Sequence, residues 1–482
     1  MFLGLDIGTS GVKAVLVDGD QNIVEQATAA LTAQRPQPLW SEQNPEDWWN
    51  ATRSAIKSLS PKGRSAVQAI GLAGQMHGAT CLDHNDNVLR PAILWNDGRS
   101  FAQCENMMHE MPSLPKIAGN LAMPGFTAPK LAWLREHEAD IFSKIGKVLL
   151  PKDYVRLRLS GDYASDMSDS AGTLWMNVEK RKWSDEILSL TGLSRDHMPQ
   201  LFEGNQFTGE LKSDIAAELE LPIVPIVAGG GDNAAGAIGV GTVEKGDGFL
   251  SLGTSGVIFI ADKKYRPRPE TAVHTFCHAL PDLWHQMSVI LSAASAIDFV
   301  AKITGFKTPS DLYASAEHLK SVNQSLYFLP YLSGERTPHN NPNAKGGFFG
   351  LTHEDSRETL AQAALEGVAF ALADGFDALK ATGVDIQSLS VIGGGARSKH
   401  WGKILASSFG TTLHYRDGST VGPAFGAARL ARLALTKEDI ETVCKPPKID
   451  FTIEADPTLE DMFSEKRKTF KNLYKHTKDF TL

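Results

Sequence analysis

The sequence writes Gly-Thr-Ser-Gly twice, as Gly8-Thr9-Ser10-Gly11 and as Gly253-Thr254-Ser255-Gly256, half a chain length apart. Each copy follows a short apolar run, Phe2-Leu3-Gly4-Leu5 before the first and Gly248-Phe249-Leu250 before the second. A short apolar run that ends in Gly, Thr and Ser reads as a buried strand entering a tight turn. Such a turn aims successive backbone N–H groups at one point, a shape that holds phosphate. The duplication predicts two halves of related architecture, whose turns can grip one polyphosphate from both sides. Two residues before each turn the copies differ, with Asp6 in the first and Ser251 in the second. An ionised carboxylate at the end of an apolar run is costly unless it is paired or bound to a metal. Asp6 is therefore the candidate to hold a hydrated Mg²⁺, a cation that takes few carboxylates and keeps several waters. Lys13, on the strand leaving the first turn, either reaches a phosphate or is a solvated surface lysine.

At 482 residues the chain has room for two or three domains. A formal net charge of −8 and the lack of any basic stretch argue against a nucleic-acid partner. Cys81, Cys104, Cys277 and Cys444 are scattered and form no CxxC pair, so neither a disulfide framework nor a structural zinc site is expected. The first residues lack a basic and then apolar leader pattern, and no apolar run approaches the ~18 residues needed to span a bilayer. The expectation is a cytoplasmic protein with reduced thiols. GxxxxGK[ST] and strand-linked GxGxxG are both missing, so any phosphate chemistry falls to the Gly-Thr-Ser turns.

Met1–Asp6, Val12–Val17 and Ile23–Thr28 read as three consecutive strands, and Asn44-Pro45 as a helix start. Ala66–Ala73 and Pro222–Ala228 read as buried strands, and Pro129–Asp140 and Ala234–Val240 as helices. In the second half Val289–Lys302 and Leu360–Leu379 carry helical patterns, Leu389–Ile392 a buried strand, and Gly422–Ala428 the start of a helix of small residues. The polar, Gly-rich Val243–Asp247 marks the boundary between domains 1–245 and 246–482, expected to face one another across a cleft.

Strand ends carry the remaining candidates. Gly229-Gly230-Gly231-Asp232-Asn233 places a carboxylate where a strand becomes a helix, the place where α/β sheets bind ligands. Asp232 is either a fixed base for a sugar hydroxyl or a helix cap. Met76 and His77 end another strand, and Trp95-Asn96-Asp97-Gly98-Arg99 lies downstream. Polar groups beside an aromatic suit a polyol. Gly393-Gly394-Gly395-Ala396-Arg397 offers a flat surface for a planar ring or is a plain helix-entry loop. Tyr331–Pro338 is a cleft loop or a subunit contact.

On these residues the chain resembles the FGGY family of carbohydrate kinases from Leu3 to about Leu435. Leu5–Gly11 and Ser251–Gly256 are similar to the family's two phosphate motifs, and Gly393–Arg397 to its adenosine motif. Gly125–Leu134 and Gly346–Leu351, continuing to Ala363–Glu366, resemble its two signatures. Thr359 departs from the second, where a charged or amide residue is usual. The resemblance implies an α/β fold of two actin/hexokinase-like (ribonuclease H-like) domains, each on a mixed five-stranded sheet, around a central cleft. It implies ATP as phosphate donor, Mg²⁺ at Asp6, Asp232 as base, and a homodimer. By position it implies phosphate contacts from Gly8, Thr9, Ser10, Lys13, Gly253, Thr254 and Ser255, adenine contacts from Gly394, Gly395 and Ala396, and sugar contacts from Met76, His77, Trp95, Asp232 and Asn233. Glycerol kinases carry Gln-Arg-Glu where this chain has Gln75-Met76-His77. The Gln-Met-His-Gly string resembles the members that phosphorylate D-xylulose at O5 in pentose catabolism. Ribulose, gluconate or another polyol is the nearer alternative, and a non-catalytic sugar or nucleotide sensor the farther one.

Overall fold

Phe2–Ile7 (β1) and Gly11–Val17 (β2) are antiparallel strands around the first turn, with Asp6 opposite Lys13. Ile23–Ala30 (β3) extends the meander, and its alternating burial marks it as the half-solvated edge. The structure, a computed structural model, describes residues 1–319, 324–393, 398–416 and 422–479. Pro45–Lys57 (α1) starts at Asn44, whose side chain accepts from the Glu46 N–H, and its Trp48, Trp49 and Ile56 pack with Leu3, Leu5 and Ile7 of β1. Ala69–Gly74 (β4) runs parallel to β1 on the side away from β2. Thr127–His137 (α2), Pro151–Ser160 (α3) and the short Met167–Ala171 (α4) gather beside the ends of these strands.

Phe207–Glu210 (β5), Pro225–Val227 (β6) and Gly230–Gly231 (β7) complete the first sheet, ordered β5-β6-β4-β1-β2-β3 with β7 also paired to β4. Gly229 interrupts the line between β6 and β7 at φ +80°. A Cβ there would stand 1.8 Å from the Leu72 carbonyl oxygen, so only glycine passes. Asp232–Val240 (α5) begins directly after β7.

Gly248–Leu252 (β8) and Gly256–Asp262 (β9) repeat the hairpin around the second turn, with Ser251 opposite Val257. His274–Cys277 (β10) and Trp284–Ile290 (β11) extend the sheet on one side; Ala294–Ile303 (α6) and Arg357–Lys380 (α7) follow. Ser388–Ile392 (β12), Thr412–Arg416 (β13) and Ile449–Ile453 (β14) extend it on the other, giving β10-β11-β9-β8-β12-β13-β14. β12 lies parallel to β8 as β4 lies parallel to β1, so each half sets its hairpin against a parallel neighbour.

Both sheets reach seven strands, two beyond the five expected. In the first, the break at Gly229 divides one line in two and β5 is added at the edge. In the second, β10 and β14 are added at opposite edges. The helix expected from Val289 begins only at Ala294. Val289 and Ile290 end β11 because they pair with Val257 and Gly256 of β9, and these sheet bonds override a local helical pattern.

Pro423–Thr436 (α8) joins the halves: it comes from the second half of the chain and lies on β1 and β4 of the first sheet. Glycines set the approach, since a Cβ at Gly4 would stand 1.8 Å from the Ala424 carbonyl oxygen and one at Gly71 1.9 Å from that of Ala427. α8 also crosses α5, where Gly426 meets the Ala235 carbonyl and the Arg429 guanidinium donates to the carbonyls of Ile238 and Gly239. Among the described residues no helix is long and apolar enough to cross a membrane. All four cysteines are buried and free.

Candidate functional site

The glycines that bring the chain over β4 deliver Asp232 to the first position of α5, with Gly231 as the cap. Its carboxylate caps no later turn. Oδ1 accepts from the Asn233 backbone N–H at 2.7 Å and from the Asn233 amide at 2.9 Å, which leaves Oδ2 for another proton donor. The loop is held from behind, where the Gly231 N–H donates to Ser168 Oγ at 3.1 Å and Ser168 Oγ–H donates to Asp166 Oδ1 at 2.5 Å. Asp166 belongs to a fully buried group with Lys152, Asp153 and Asp169. Burial pushes the Asp232 carboxyl up to about 6, against the two Asn233 hydrogen bonds. Asp6 rises to about 7, chiefly through burial and then through the charge of Asp232, with Lys13 across the hairpin opposing. Asp6 Oδ1 is buried without a hydrogen-bond partner.

Met76, His77, Trp95, Asp232 and Asn233, the five expected sugar residues, line one cavity of about 310 Å³. Its opposite wall comes from the second half, with Ser251 before the second turn, Ser255 within it, and His274, Phe276 and Arg336. His77 sits at φ +70°, and Lys130 fixes it there by bridging the carbonyls of His77 and Gly125, each at 2.8 Å. Burial lowers the His77 imidazole to about 3, so it is neutral. Nδ1 faces the Gly172 carbonyl oxygen at 2.5 Å and must carry the proton, so Nε2 is an acceptor. A cleft with an ionisable base, imidazole and amide groups and aromatic faces can hold a small polyhydroxylated molecule.

The first turn closes with Gly8 N–H donating to the Gly11 carbonyl at 3.0 Å. Its Thr9 hydroxyl is engaged on the protein side, accepting from Trp95 Nε1 at 3.0 Å and donating to Gln75 Oε1 at 2.8 Å. Gln43 completes the relay. Its amide donates to the Thr9 carbonyl at 2.7 Å, and its Oε1 accepts from Gln75 at 3.0 Å and Trp48 Nε1 at 2.9 Å. The Ser10 side chain is exposed. The first turn and the pocket wall at Trp95 are thus one hydrogen-bonded unit, joined through Gln43 and Gln75.

The second turn closes through Gly253 N–H to the Ser255 carbonyl at 3.1 Å, and its Gly253 and Thr254 carbonyls accept from Ala294 and Ala293 at the start of α6. Ser251 and Ser255 face the first cavity, whereas Gly253 and Thr254 line a second of about 760 Å³ with Asp298, Tyr313, Ser398 and Lys399. One turn therefore separates a small polar pocket from a larger open cleft. Gly394, Gly395 and Ala396, expected to receive adenine, lie outside the described residues, and Ser398 and Lys399 just after them line the larger cleft. Arg336 lies in the Tyr331–Pro338 string and faces the pocket, so this stretch is a cleft loop.

The N-terminal domain of the FGGY family of carbohydrate kinases matches residues 1–239 and its C-terminal domain residues 248–435. A curated relative from Escherichia coli (strain K12), named xylulose kinase, is 53% identical over 98% of each chain. Another of that name from Klebsiella pneumoniae is 50% identical over 99% of each. A crystal structure of a "xyloylose kinase" from Brucella ovis superposes with a TM-score of 0.95 at 50% identity, covering 98% of this chain and 99% of that one.

Proposed function

Since the chain belongs to the FGGY family of carbohydrate kinases, we propose that it transfers the γ-phosphoryl group of ATP to O5 of D-xylulose, giving D-xylulose 5-phosphate. D-xylulose occupies the 310 Å³ pocket against Met76, His77, Trp95 and Asn233. The observation that carries this reading is the pocket itself, in which a raised carboxylate with a free oxygen faces one wall of the second turn. ATP lies in the larger cleft with its phosphates at the two turns. Asp232 Oδ2 accepts the O5 proton as O5 attacks the γ-phosphorus. The Asn233 bonds hold Oδ1 and so fix the plane of the carboxylate. Positioning and charge neutralisation supply most of the rate in such a transfer, and the base adds about 10²–10⁴-fold.

The unpartnered Asp6 Oδ1, buried beside Asp232, fits a hydrated Mg²⁺. Bound there, the cation would neutralise charge on the transferring phosphate. The relay through Thr9, Gln75 and Gln43 ties the first turn to Trp95. We place the enzyme in the cytoplasm as a homodimer, a state that light scattering reads directly.

The test is ADP release with D-xylulose, ribulose, gluconate and glycerol, for the wild type and for Asp232→Ala. D-xylulose is expected to give the highest kcat/KM, and the variant to lose about 10²–10⁴-fold in kcat. Near-normal turnover by Asp232→Ala sinks the base assignment, and preference for another sugar sinks the substrate.

A further inference from the structure

Arg336 is a cation presented to the pocket with almost nothing to bind. Among the described residues its guanidinium makes one hydrogen bond, a long one of 3.4 Å from Nη1 to His274 Nε2. The neighbouring Glu335 does not take it up. Glu335 Oε1 accepts from the backbone N–H groups of Leu291 (3.0 Å) and Arg336 (2.7 Å), and Oε2 is buried without a partner. His274 is neutral and fully committed. Asn120 donates its amide hydrogens to the carbonyls of Ala118 and Thr275, so its Oδ1 must accept from His274 Nδ1 at 2.9 Å. His274 Nε2 is then an acceptor and can take one Arg336 hydrogen. The remaining guanidinium hydrogens are open to the pocket.

The surrounding loop is built to hold this side chain in place. On one side the backbones of Glu335 and Asn341 exchange two hydrogen bonds of 2.8 Å. On the other, the Thr337 N–H donates to the Val289 carbonyl at 3.1 Å. The Thr337 hydroxyl accepts from the Val289 N–H at 3.1 Å and donates to the Ala272 carbonyl at 3.0 Å. Thr337 is thus pinned to the end of β11 and Glu335 to Asn341, so the backbone is anchored on both sides of Arg336.

Its place along the pocket suggests its ligand. Arg336 adjoins His274, whose ring stacks on Phe276 at 5.6 Å and meets Phe126 edge-on at 5.8 Å; Phe126 in turn meets His77 at 4.8 Å. This ring cluster gathers beside His77 in the pocket. The reacting oxygen belongs at Asp232. A pentulose with O5 there carries C2 three carbons further into the pocket, where among the described lining residues Arg336 is the one Lys or Arg side chain. We propose that Arg336 is the residue through which the second half of the chain reads the ketone, its guanidinium donating to the C2 carbonyl oxygen of the bound ketose. A guanidinium is a planar, donor-only fork, and a carbonyl oxygen is an acceptor-only atom with both lone pairs in its substituents' plane. A C2 hydroxyl brings its own proton and a tetrahedral carbon to the same place and fits the fork less well. The inference rests on the reading that D-xylulose is the substrate with O5 at Asp232.

The experiment is a cycle between residue and substrate group. Wild type, Arg336→Gln and Arg336→Lys are assayed with D-xylulose and with xylitol, the same carbon chain without the ketone, xylitol being read as substrate or as competitive inhibitor. Arg336→Gln is expected to lower kcat/KM for D-xylulose by about 10–100-fold, mainly through KM, the loss of a hydrogen bond from a charged donor. Xylitol is expected to change by less than about threefold, having no carbonyl bond to lose. Arg336→Lys, which keeps a charged donor without the fork, should recover part of the D-xylulose loss. Equal losses with both ligands, or a loss confined to kcat, would place Arg336 on the phosphoryl group or in the scaffold and overturn the proposal, as would no loss at all. Folding of the Gln variant is read separately by its thermal unfolding, and if it is not folded the same two-ligand criteria are applied to the Lys variant. If the wild type itself fails to turn over D-xylulose, it is the functional reading that falls, on a result distinct from any of these.

Discussion

Replacing Lys152 with Met tests whether the support beneath Asp232 is a charge-balanced unit. Lys152 Nζ lies 2.6 Å from Asp153 Oδ1, 2.7 Å from Asp166 Oδ2 and 3.2 Å from Asp169 Oδ2, and Arg156 Nε is 3.9 Å from Asp153 Oδ1, all of these side chains fully buried. The Asp166 and Asp169 contacts have ion-pair distance without hydrogen-bond alignment at the acceptor. Burial, reinforced by Asp166 and Asp153, holds the Asp169 carboxyl well above its ordinary value. With a neutral Asp169 the group would count two cations, Lys152 and Arg156, against two anions, Asp153 and Asp166, and this count is what the variant tests. Removing Lys152 leaves one buried carboxylate uncompensated, which costs about 3–5 kcal/mol unless that group also takes a proton. Protonation costs about 1.4 kcal/mol for each pH unit above the unfolded-chain value of 3.8. That is about 1.6 kcal/mol at pH 5 and about 4.4 kcal/mol at pH 7.

The sign follows from linkage. The folded variant would bind a proton that the unfolded chain does not, so its stability falls as pH rises. Lys152 itself adds no slope in this window. Burial lowers its pKa but the neighbouring carboxylates outweigh it and raise it in the folded protein, so its stabilisation is complete below its unfolded value of 10.5 and fades only above it. At ~2–4 °C per kcal/mol for a domain of this size, the variant should unfold about 3–6 °C below wild type at pH 5 and about 9–18 °C below at pH 7. Thermal unfolding by tryptophan fluorescence at both pH values reads it. A deficit that is the same at both, or smaller than about 1 kcal/mol at pH 7, would refute the charge count.

Two further expectations follow from the site. The acid limb of kcat/KM for D-xylulose should bend near pH 6, because Asp232 must be ionised to accept a proton and its carboxyl is raised to about 6; a limb that bends at the ordinary carboxylate value would refute a buried base. Gln43→Leu removes the acceptor for the buried Trp48 indole and the donor to the Thr9 carbonyl, and should cost about 1–3 kcal/mol of stability and raise KM for ATP more than KM for the sugar. An unchanged ATP KM would separate the relay from the phosphate turn.

The parts of the fold that a sequence displays are those made by neighbours in the chain. β1, β2 and β3 were legible because apolar runs and turn residues alternate within the first thirty positions, and α1 because Asn44 and Pro45 mark its start. Asp232, Met76 and His77 were legible for a related reason, since glycines beside a polar residue at the end of a buried strand have few other uses. The illegible parts depend on distant pairings. Nothing near Val289 indicates that β9 will claim it for the sheet, and nothing near Pro423 indicates that its helix will cover β1 and β4. Lys152, Asp153, Asp166 and Asp169 form no motif along the chain, and only the fold encloses them together. Arg336 stood in a polar string with two open readings, and only the seating of that string against Val289 and Ala272 turns it towards the pocket.

The difference between Asp6 and Ser251 follows from where each turn stands. Asp6 rests between Lys13 and Ala73, with a cation across the hairpin to offset part of its charge. Ser251 lies between Val257 and Ile392, with no such cation in register, and lines the same pocket as Asp232. A carboxylate there would be a third acid in a cleft whose two acids are already raised by burial and, at Asp6, by the neighbouring charge. Like charges raise one another further, so the base would hold its proton into the neutral range and lose its function. A hydroxyl donates to phosphate or sugar without that effect. The repeated turn can serve both halves only if one copy carries the acid and the other does not.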